Sequence, residues 1–301
     1  MTKLQRYLAE EVAEDHADGI ITRREALKRL GLLGLTATSA AALLAACAKD
    51  ESPTAQTSPT PTTRSPTTSP TATGAVTPQA ITFAGPNGRT LMGAWAAAAQ
   101  PKGGVLVIHE NRGLTEHIRS VAGRFAGSGY SALALDLLSE EGGTANLGGD
   151  AEAMAALNAA PDSRFVADMK AALTEIGKRV PGAKLGMIGF CFGGGMTWML
   201  LDAGEPRLAA AAPFYGTTPD NPDFSGSAAA VLGVYAENDS RVNATRDEAR
   251  AALQVANLTH EIKTYPGVDH AFFNDTGARY NETQARRAYQ DVLAWFGRHL
   301  A

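Results

Sequence analysis

Three residues spread along this 301-residue chain are of the types that carry out nucleophilic chemistry at a carbonyl: Cys191, Asp239 and His270. Cys191 lies in Gly189-Phe190-Cys191-Phe192-Gly193, a glycine-x-nucleophile-x-glycine turn with cysteine where serine is more usual. A thiol attacks a carbonyl only as its thiolate, an imidazole takes that proton and later returns one, and a carboxylate fixes the imidazole tautomer. The competing reading is a free cysteine buried as a small apolar residue. Partners of the right type further along the chain argue against it.

Those partners fall in two loops, each directly after a strand-like run. The first is Ala236-Glu237-Asn238-Asp239-Ser240-Arg241-Val242 and the second is Pro266-Gly267-Val268-Asp269-His270-Ala271-Phe272. Asp239 is the preferred acid because its place in the loop leaves room for a turn; Glu237 and Asp269 are its rivals. Asp239 also has a plainer role open to it, as the cap of the helix that follows. His270 alone would be an ordinary loop histidine.

The elements that must position these residues follow from hydrophobic periodicity. Residues 185–188 read as a buried strand before the turn and 196–201 as a helix after it. Residues 80–83 and 90–95 read as strands joined by Gly85-Pro86-Asn87-Gly88, a hairpin signal. Residues 104–108 and 130–135 are short apolar strands around a helix at 116–127 that places Ile118, Val121, Ala122 and Phe125 on one face. Residues 139–149 form a Gly-rich loop, and Phe165, Val166, Met169, Leu173 and Ile176 mark the next core-facing helix. Strands at 208–215, 229–235 and 259–265, a helix near 245–255 and a terminal helix striped by Ala285, Ala288, Tyr289, Val292, Leu293 and Phe296 complete the pattern. Alternating helices and fully apolar strands predict an α/β fold: a mostly parallel central sheet with helices on both faces. In such sheets ligands bind at the carboxyl ends of the strands, where Cys191, Asp239 and His270 all fall.

Ahead of this domain the composition changes twice. Thr22-Arg23-Arg24-Glu25-Ala26-Leu27-Lys28 resembles a twin-arginine export signal, and the small, apolar residues 30–46 follow as its hydrophobic region. The stretch ends in Leu44-Ala45-Ala46-Cys47, which resembles a lipobox with Cys47 as the lipidated residue. An uncleaved membrane anchor is the alternative, although the run is short and weakly apolar for a span. Residues 1–47 are therefore expected to be a signal, residues 48–78 a Thr/Ser/Pro-rich disordered linker, and residues 79–301 a single catalytic domain. The expected location is the cell envelope, after export, with the membrane reached only through the N-terminal lipid or anchor.

A net charge of -4 supplies no basic field for nucleic acid. With 45% hydrophobic residues the chain can bury a sizeable core. Cys47 and Cys191 sit in unrelated contexts, so a structural disulfide is not expected. His109-Glu110 is followed by Asn111, Arg112 and Gly113 without a second ligand histidine, so neither metal nor cofactor is expected.

Four segments in order are similar to the dienelactone hydrolase family: His109-Glu110-Asn111-Arg112-Gly113, Gly189-Phe190-Cys191-Phe192-Gly193-Gly194, the loop at Asp239, and Gly267-Val268-Asp269-His270-Ala271-Phe272. The order nucleophile, acid, histidine is that of an α/β-hydrolase. The resemblance spans about residues 79–301 and implies a cysteine hydrolase in which Cys191, Asp239 and His270 form the triad. It also implies that Glu110 interacts with the resting thiol and releases it when substrate binds. A helix N-terminal carboxylate is the plainer reading of Glu110. Backbone N–H groups of Phe192 and Asn111 would hold the oxyanion. Family members that open dienelactones grip the substrate carboxylate with arginines. Here residues 137–162 contain none, Arg164 lies just beyond them, and Arg279 is the candidate past His270. Glu140 and Glu141, if they line the pocket, would disfavour an anion. His109 is a further candidate for assisting the site.

The function expected is hydrolysis of a lactone or small carboxylic ester through a thioester acyl-enzyme, by a monomer acting on a small molecule. A general esterase or thioesterase with an unrelated substrate is the near alternative. A surface lipoprotein that binds without turnover is the distant one, since fold does not fix function.

Overall fold

The computed structural model describes residues 1–46 and 74–300. The helices are α1 (Lys3–Ala17), α2 (Arg23–Leu32), α3 (Ala37–Ala46), α4 (Glu116–Gly127), α5 (Asp150–Ala159), α6 (Asp162–Arg179), α7 (Phe192–Asp202), α8 (Ser240–Asn243), α9 (Arg246–Val255) and α10 (Glu282–His299). The strands are β1 (Gln79–Ala84), β2 (Thr90–Ala96), β3 (Gly104–Ile108), β4 (Ser131–Asp136), β5 (Leu185–Phe190), β6 (Leu208–Phe214), β7 (Ala230–Ala236) and β8 (His260–Tyr265). By packing, residues 1–46 and 148–159 belong to one unit and residues 74–147 and 160–300 to another.

The larger unit is built on one sheet in the order β1-β2-β4-β3-β5-β6-β7-β8. The pairs β1/β2 and β2/β4 are antiparallel and every other pair is parallel. The central strands β3, β4, β5 and β7 are buried along their whole length, as strands covered on both faces must be. The covering can be followed on β5. A side chain at Gly186 would run into Leu300 and Phe296 at the end of α10, whereas one at Gly189 would run into α7 at Gly193 and Thr197. Positions an odd number apart on a strand point to opposite faces, so α10 and α7 lie on opposite sides of the sheet. Phe125 of α4 packs against Tyr289 and Phe296 of α10, with ring centroids 5.4 and 5.8 Å apart. Phe165 of α6 packs edge-on against Phe192 of α7 at 5.5 Å. The observed architecture is the expected α/β-hydrolase arrangement.

All eight strands fall where periodicity put them. The differences are local. Helix α5 was not anticipated, because Asp-Ala-Glu-Ala-Met-Ala-Ala-Leu-Asn-Ala is Ala-rich and has no apolar stripe to reveal it. The Val76 N–H donates to the Gly123 carbonyl at 3.1 Å, so the chain already lies along α4 ahead of β1.

In the smaller unit, Thr2 and Thr22 cap α1 and α2 by accepting the Gln5 and Glu25 N–H groups at 3.0 and 3.2 Å. The Arg29 guanidinium meets Glu25 at 2.9 Å and Asp150 of α5 at 3.8 Å. Arg23 and Arg24 are exposed at the start of α2. The apolar stretch 30–46 is not one helix: α2 ends at Leu32 and α3 begins at Ala37. Among the described residues no helix is long and apolar enough to cross a membrane. Cys47 and most of the Thr/Ser/Pro-rich stretch lie outside the described residues.

Candidate active site

Four loops at the carboxyl ends of strands meet in the larger unit. The tightest is the turn from β5 into α7. Cys191 adopts φ 56° and ψ -117°, a conformation that L-residues rarely hold, and such strain persists only where the surroundings fix it. They do so by excluding side chains. A Cβ on Gly189 would lie 2.0 Å from the Gly193 carbonyl oxygen, and one on Gly193 would lie 2.5 and 2.6 Å from the carbonyls of Ile108 and His109. The turn is therefore pressed against the end of β3. The Cys191 N–H donates to the Phe214 carbonyl at 3.1 Å, which fastens it to β6 as well.

The acid and histidine loops are zipped together behind it. The Asn238 N–H donates to the Val268 carbonyl at 3.0 Å, and the Glu237 N–H to the Tyr265 carbonyl at 3.0 Å. Asp239 Oδ2 stands 2.5 Å from His270 Nδ1, with both side chains fully buried. Asp239 Oδ1 accepts the Val242 N–H at 3.1 Å, so the same carboxylate also caps α8. The two roles weighed as alternatives in the sequence are filled at once by its two oxygens. The rival acids are used elsewhere. Glu237 accepts the Gly267 N–H at 2.7 Å, and Asp269 accepts from the Asn238 amide at 2.9 Å.

Because an ionised carboxylate only accepts, His270 Nδ1 carries the proton of that bond, and in the neutral ring Nε2 is the basic nitrogen. Cys191 Sγ and a ring nitrogen of His270 lie within 4.8 Å of one another. The structure thus brings together the three residues singled out from the sequence.

Glu110 and Asn111 follow β3 in a tight turn closed by the Gly113 N–H donating to the Glu110 carbonyl at 3.3 Å. In the β3/β5 register Ile108 is opposite Gly189, so two residues further along each chain come Glu110 and Cys191. Phe192 opens α7, and its N–H is one of the first-turn donors that have no acceptor within the helix. The Phe192 ring stacks on His109 at 6.1 Å, which joins the two candidate oxyanion donors to one packed unit.

His109 serves as a brace. Its Nε2 accepts the Leu137 N–H at 3.1 Å and its Nδ1 donates to the Glu110 carbonyl at 2.6 Å. Burial pushes its pKa below the ordinary value, against the opposing pull of the Asp136 carboxylate and the Glu110 carbonyl. A neutral ring is what these two bonds require. Asp136 in turn accepts from Leu138 N–H, Thr144 N–H and the Thr144 hydroxyl at 2.8 to 3.0 Å, and Thr144 Oγ1 accepts the Leu114 N–H at 2.9 Å.

The charged loop beyond β4 differs from expectation. Arg164 meets Glu141 at 2.6 Å and Glu140 at 3.0 Å and donates to the Leu137 carbonyl at 3.1 Å, while Arg89 meets Glu140 and Asp168. Glu140 and Glu141 are thereby neutralised by arginines, and Arg164 is committed to them. Arg279 stands half-buried on the segment between His270 and α10.

Two contacts were not foreseen. Tyr215, fully buried with φ 35° directly after β6, sets its ring against His270 at 5.0 Å in an edge-on contact. Asn274 donates through Nδ2 to Glu110 Oε2 at 2.6 Å. For Tyr215 the available signal was its place just past a strand, shared by the other site residues. For Asn274 nothing but its nearness to His270 marked it.

Burial pushes the Asp239 carboxyl up, but attraction to His270, the hydrogen bond from it, Arg241 and the Val242 N–H together hold it below the usual carboxylate range. A depressed native pKa contributes stability above the unfolded value of about 3.9, and this is lost as pH falls through the native value. Asparagine preserves the cap but not the charge. Asp239→Asn should therefore lower the urea midpoint most near pH 6, with the gap to wild type closing towards pH 3. A gap independent of pH would contradict this assignment.

The model of the dienelactone hydrolase family matches residues 91–300. A candidate carboxymethylenebutenolidase of Salmonella typhi is 34% identical over 208 residues, covering 65% of this chain and 77% of its own. Another from Saccharolobus solfataricus is 29% identical over 238 residues, covering 67% of this chain and 92% of its own. The crystal structure of a candidate dienelactone hydrolase from Klebsiella pneumoniae superimposes with a TM-score of 0.63 at 30% identity, over 74% of this chain and 99% of that one. The chain belongs to the dienelactone hydrolase family, and with it to the hydrolases of esters and lactones.

Proposed function

We propose that the chain hydrolyses a lactone or small carboxylic ester through a thioester on Cys191. The observation that carries this reading is the buried Asp239–His270 bond at 2.5 Å, with Cys191 Sγ within 4.8 Å of the imidazole on a strained turn. Cys191 gives its proton to His270 Nε2 and its sulfur attacks the carbonyl carbon. The oxyanion is held by the N–H groups of Phe192 and Asn111. As the tetrahedral adduct collapses, His270 returns the proton to the departing oxygen and leaves an S-acyl enzyme. Water then attacks that thioester, giving its proton to His270, and the thiol is restored as the acid leaves. Asp239 holds the ring tautomer and stabilises the imidazolium in both halves.

In this reading Glu110 interacts with the resting thiol. A nearby carboxylate disfavours thiolate, so the thiol is protected until substrate alters the pairing. Arg279 is the substrate-binding candidate. The carboxymethylenebutenolidase names of the relatives favour a lactone for this chain too. An uncharged ester is favoured by one observation: Arg164, which follows the loop beyond β4 in the chain, is engaged by Glu140, Glu141 and the Leu137 carbonyl.

The test is hydrolysis by the full chain of a short chromogenic ester and of cis- and trans-dienelactones. Cys191→Ala should reduce turnover by at least about a thousandfold, on the scale of removing a nucleophile. The ratio of lactone to ester rates assigns the substrate class. Undiminished turnover in a folded Cys191→Ala protein would remove the cysteine mechanism.

The N-terminal residues are proposed as an export signal, on the strength of Arg23-Arg24, the apolar residues after them and Leu44-Ala45-Ala46-Cys47. Mass analysis of protein from the producing cells should find Cys47 as a lipid-blocked first residue. An intact Met1 in the membrane fraction would refute cleavage.

A further inference from the structure

We propose that Asn274 is a positioning residue that keeps Glu110 ionised and turned into the site, and through it sets the reactivity of Cys191. This deepens the function proposed above and rests on it.

Four observations lead here. Glu110 is only 6% exposed, and a carboxylate so buried needs donors to remain charged. Asn274, 7% exposed, supplies one at 2.6 Å. The orientation of its amide is fixed independently. Asn274 Oδ1 accepts the Thr276 N–H at 3.0 Å and the Thr276 hydroxyl at 2.7 Å, and a backbone N–H can only donate. The NH2 end must therefore face Glu110. Finally, Phe273, the residue before it, stacks on Phe190, the residue before Cys191, with centroids 5.1 Å apart and planes 21° apart. Asn274 is thus carried by a segment anchored both to the nucleophile turn and to His270, and it reaches across to the loop that bears Glu110.

A hydrogen bond to the charged form of an acid favours that form without adding a charge. An arginine in the place of Asn274 would neutralise Glu110 and compete for it as a salt bridge. The neutral amide orients the carboxylate without itself neutralising it. The ionisable groups on the elements that meet here include Cys191, His270, His109 and Arg112 beside Glu110, Asp136 at the end of β4, and Asp275 and Arg279 on the segment that carries Asn274. Asp275 is itself held by His117 at 2.6 Å and Arg124 at 2.7 Å.

Asn274→Asp keeps the size and the acceptor for Thr276 but sets a second carboxyl against Glu110. The two cannot both ionise at ordinary pH, so a new titration enters beside the thiol. The readout is the pH dependence of iodoacetamide alkylation at Cys191 in the full chain, followed on its peptide by mass spectrometry, together with kcat/KM for the ester. Asn274→Asp should raise the alkylation midpoint by at least one pH unit and lower kcat/KM at pH 7 at least tenfold. The exchange variant Glu110→Gln with Asn274→Asp restores a donor and an acceptor with their places reversed. It should regain thermal stability but neither the midpoint nor kcat/KM, and it carries the test alone if Asn274→Asp does not fold. Alkylation profiles that overlay wild type, or full recovery of kcat/KM in the exchange variant, would overturn the inference and leave Asn274 a purely structural tie. Turnover surviving in Cys191→Ala would instead strike the proposed function, so the two failures are separable.

Discussion

The site depends on one backbone conformation. Cys191 can hold φ 56° only because the chain on either side approaches neighbouring backbone more closely than any side chain would allow. Gly189 gives that approach to α7 and Gly193 gives it to the end of β3. The strain costs about 1–3 kcal/mol and is supported by packing elsewhere in the sheet. What it yields is a sulfur raised at the end of β5, beside the start of α7 and beside the turn after β3. A glycine doublet placed for ordinary flexibility would not produce this arrangement; the contacts demand the absence of a Cβ.

Around that turn the strand ends are held by two different kinds of force. Aromatic packing forms the floor: Phe190, Phe214 and Phe273, one from each of three segments, lie with centroids 5.0 to 5.4 Å apart. Above them the polar groups are paired across loops. Asp239 joins α8 to His270, His109 joins the β3 loop to Leu137, and Asn274 joins the histidine segment to Glu110. Buried polar groups of this kind are costly when unpartnered, so their pairing fixes the loops in one arrangement.

The centre of the sheet was legible in the sequence because its strands are continuously apolar, and that signal does not depend on what packs against it. Cys191, Asp239 and His270 were legible because each follows a strand and their order is informative. Selection of Asp239 over Glu237 and Asp269 could be argued only weakly from position; the reason emerges in the fold, where Glu237 and Asp269 are drawn into bonds that tie the two loops together. Asn274 and Tyr215 were not legible, since an amide and a tyrosine in loop contexts carry no periodic signal. Helix α5 was hidden by its alanines. The neutralisation of Glu140 and Glu141 by Arg89 and Arg164 joins residues far apart in the chain, which no local pattern encodes.

The central claim is that Cys191 is acylated during turnover. Wild-type protein mixed with excess chromogenic ester and quenched in acid within milliseconds should carry the acyl group on the peptide containing Cys191, as a thioester released by hydroxylamine. An acyl group on another residue, or turnover with Cys191 unmodified at every time sampled, would contradict the account.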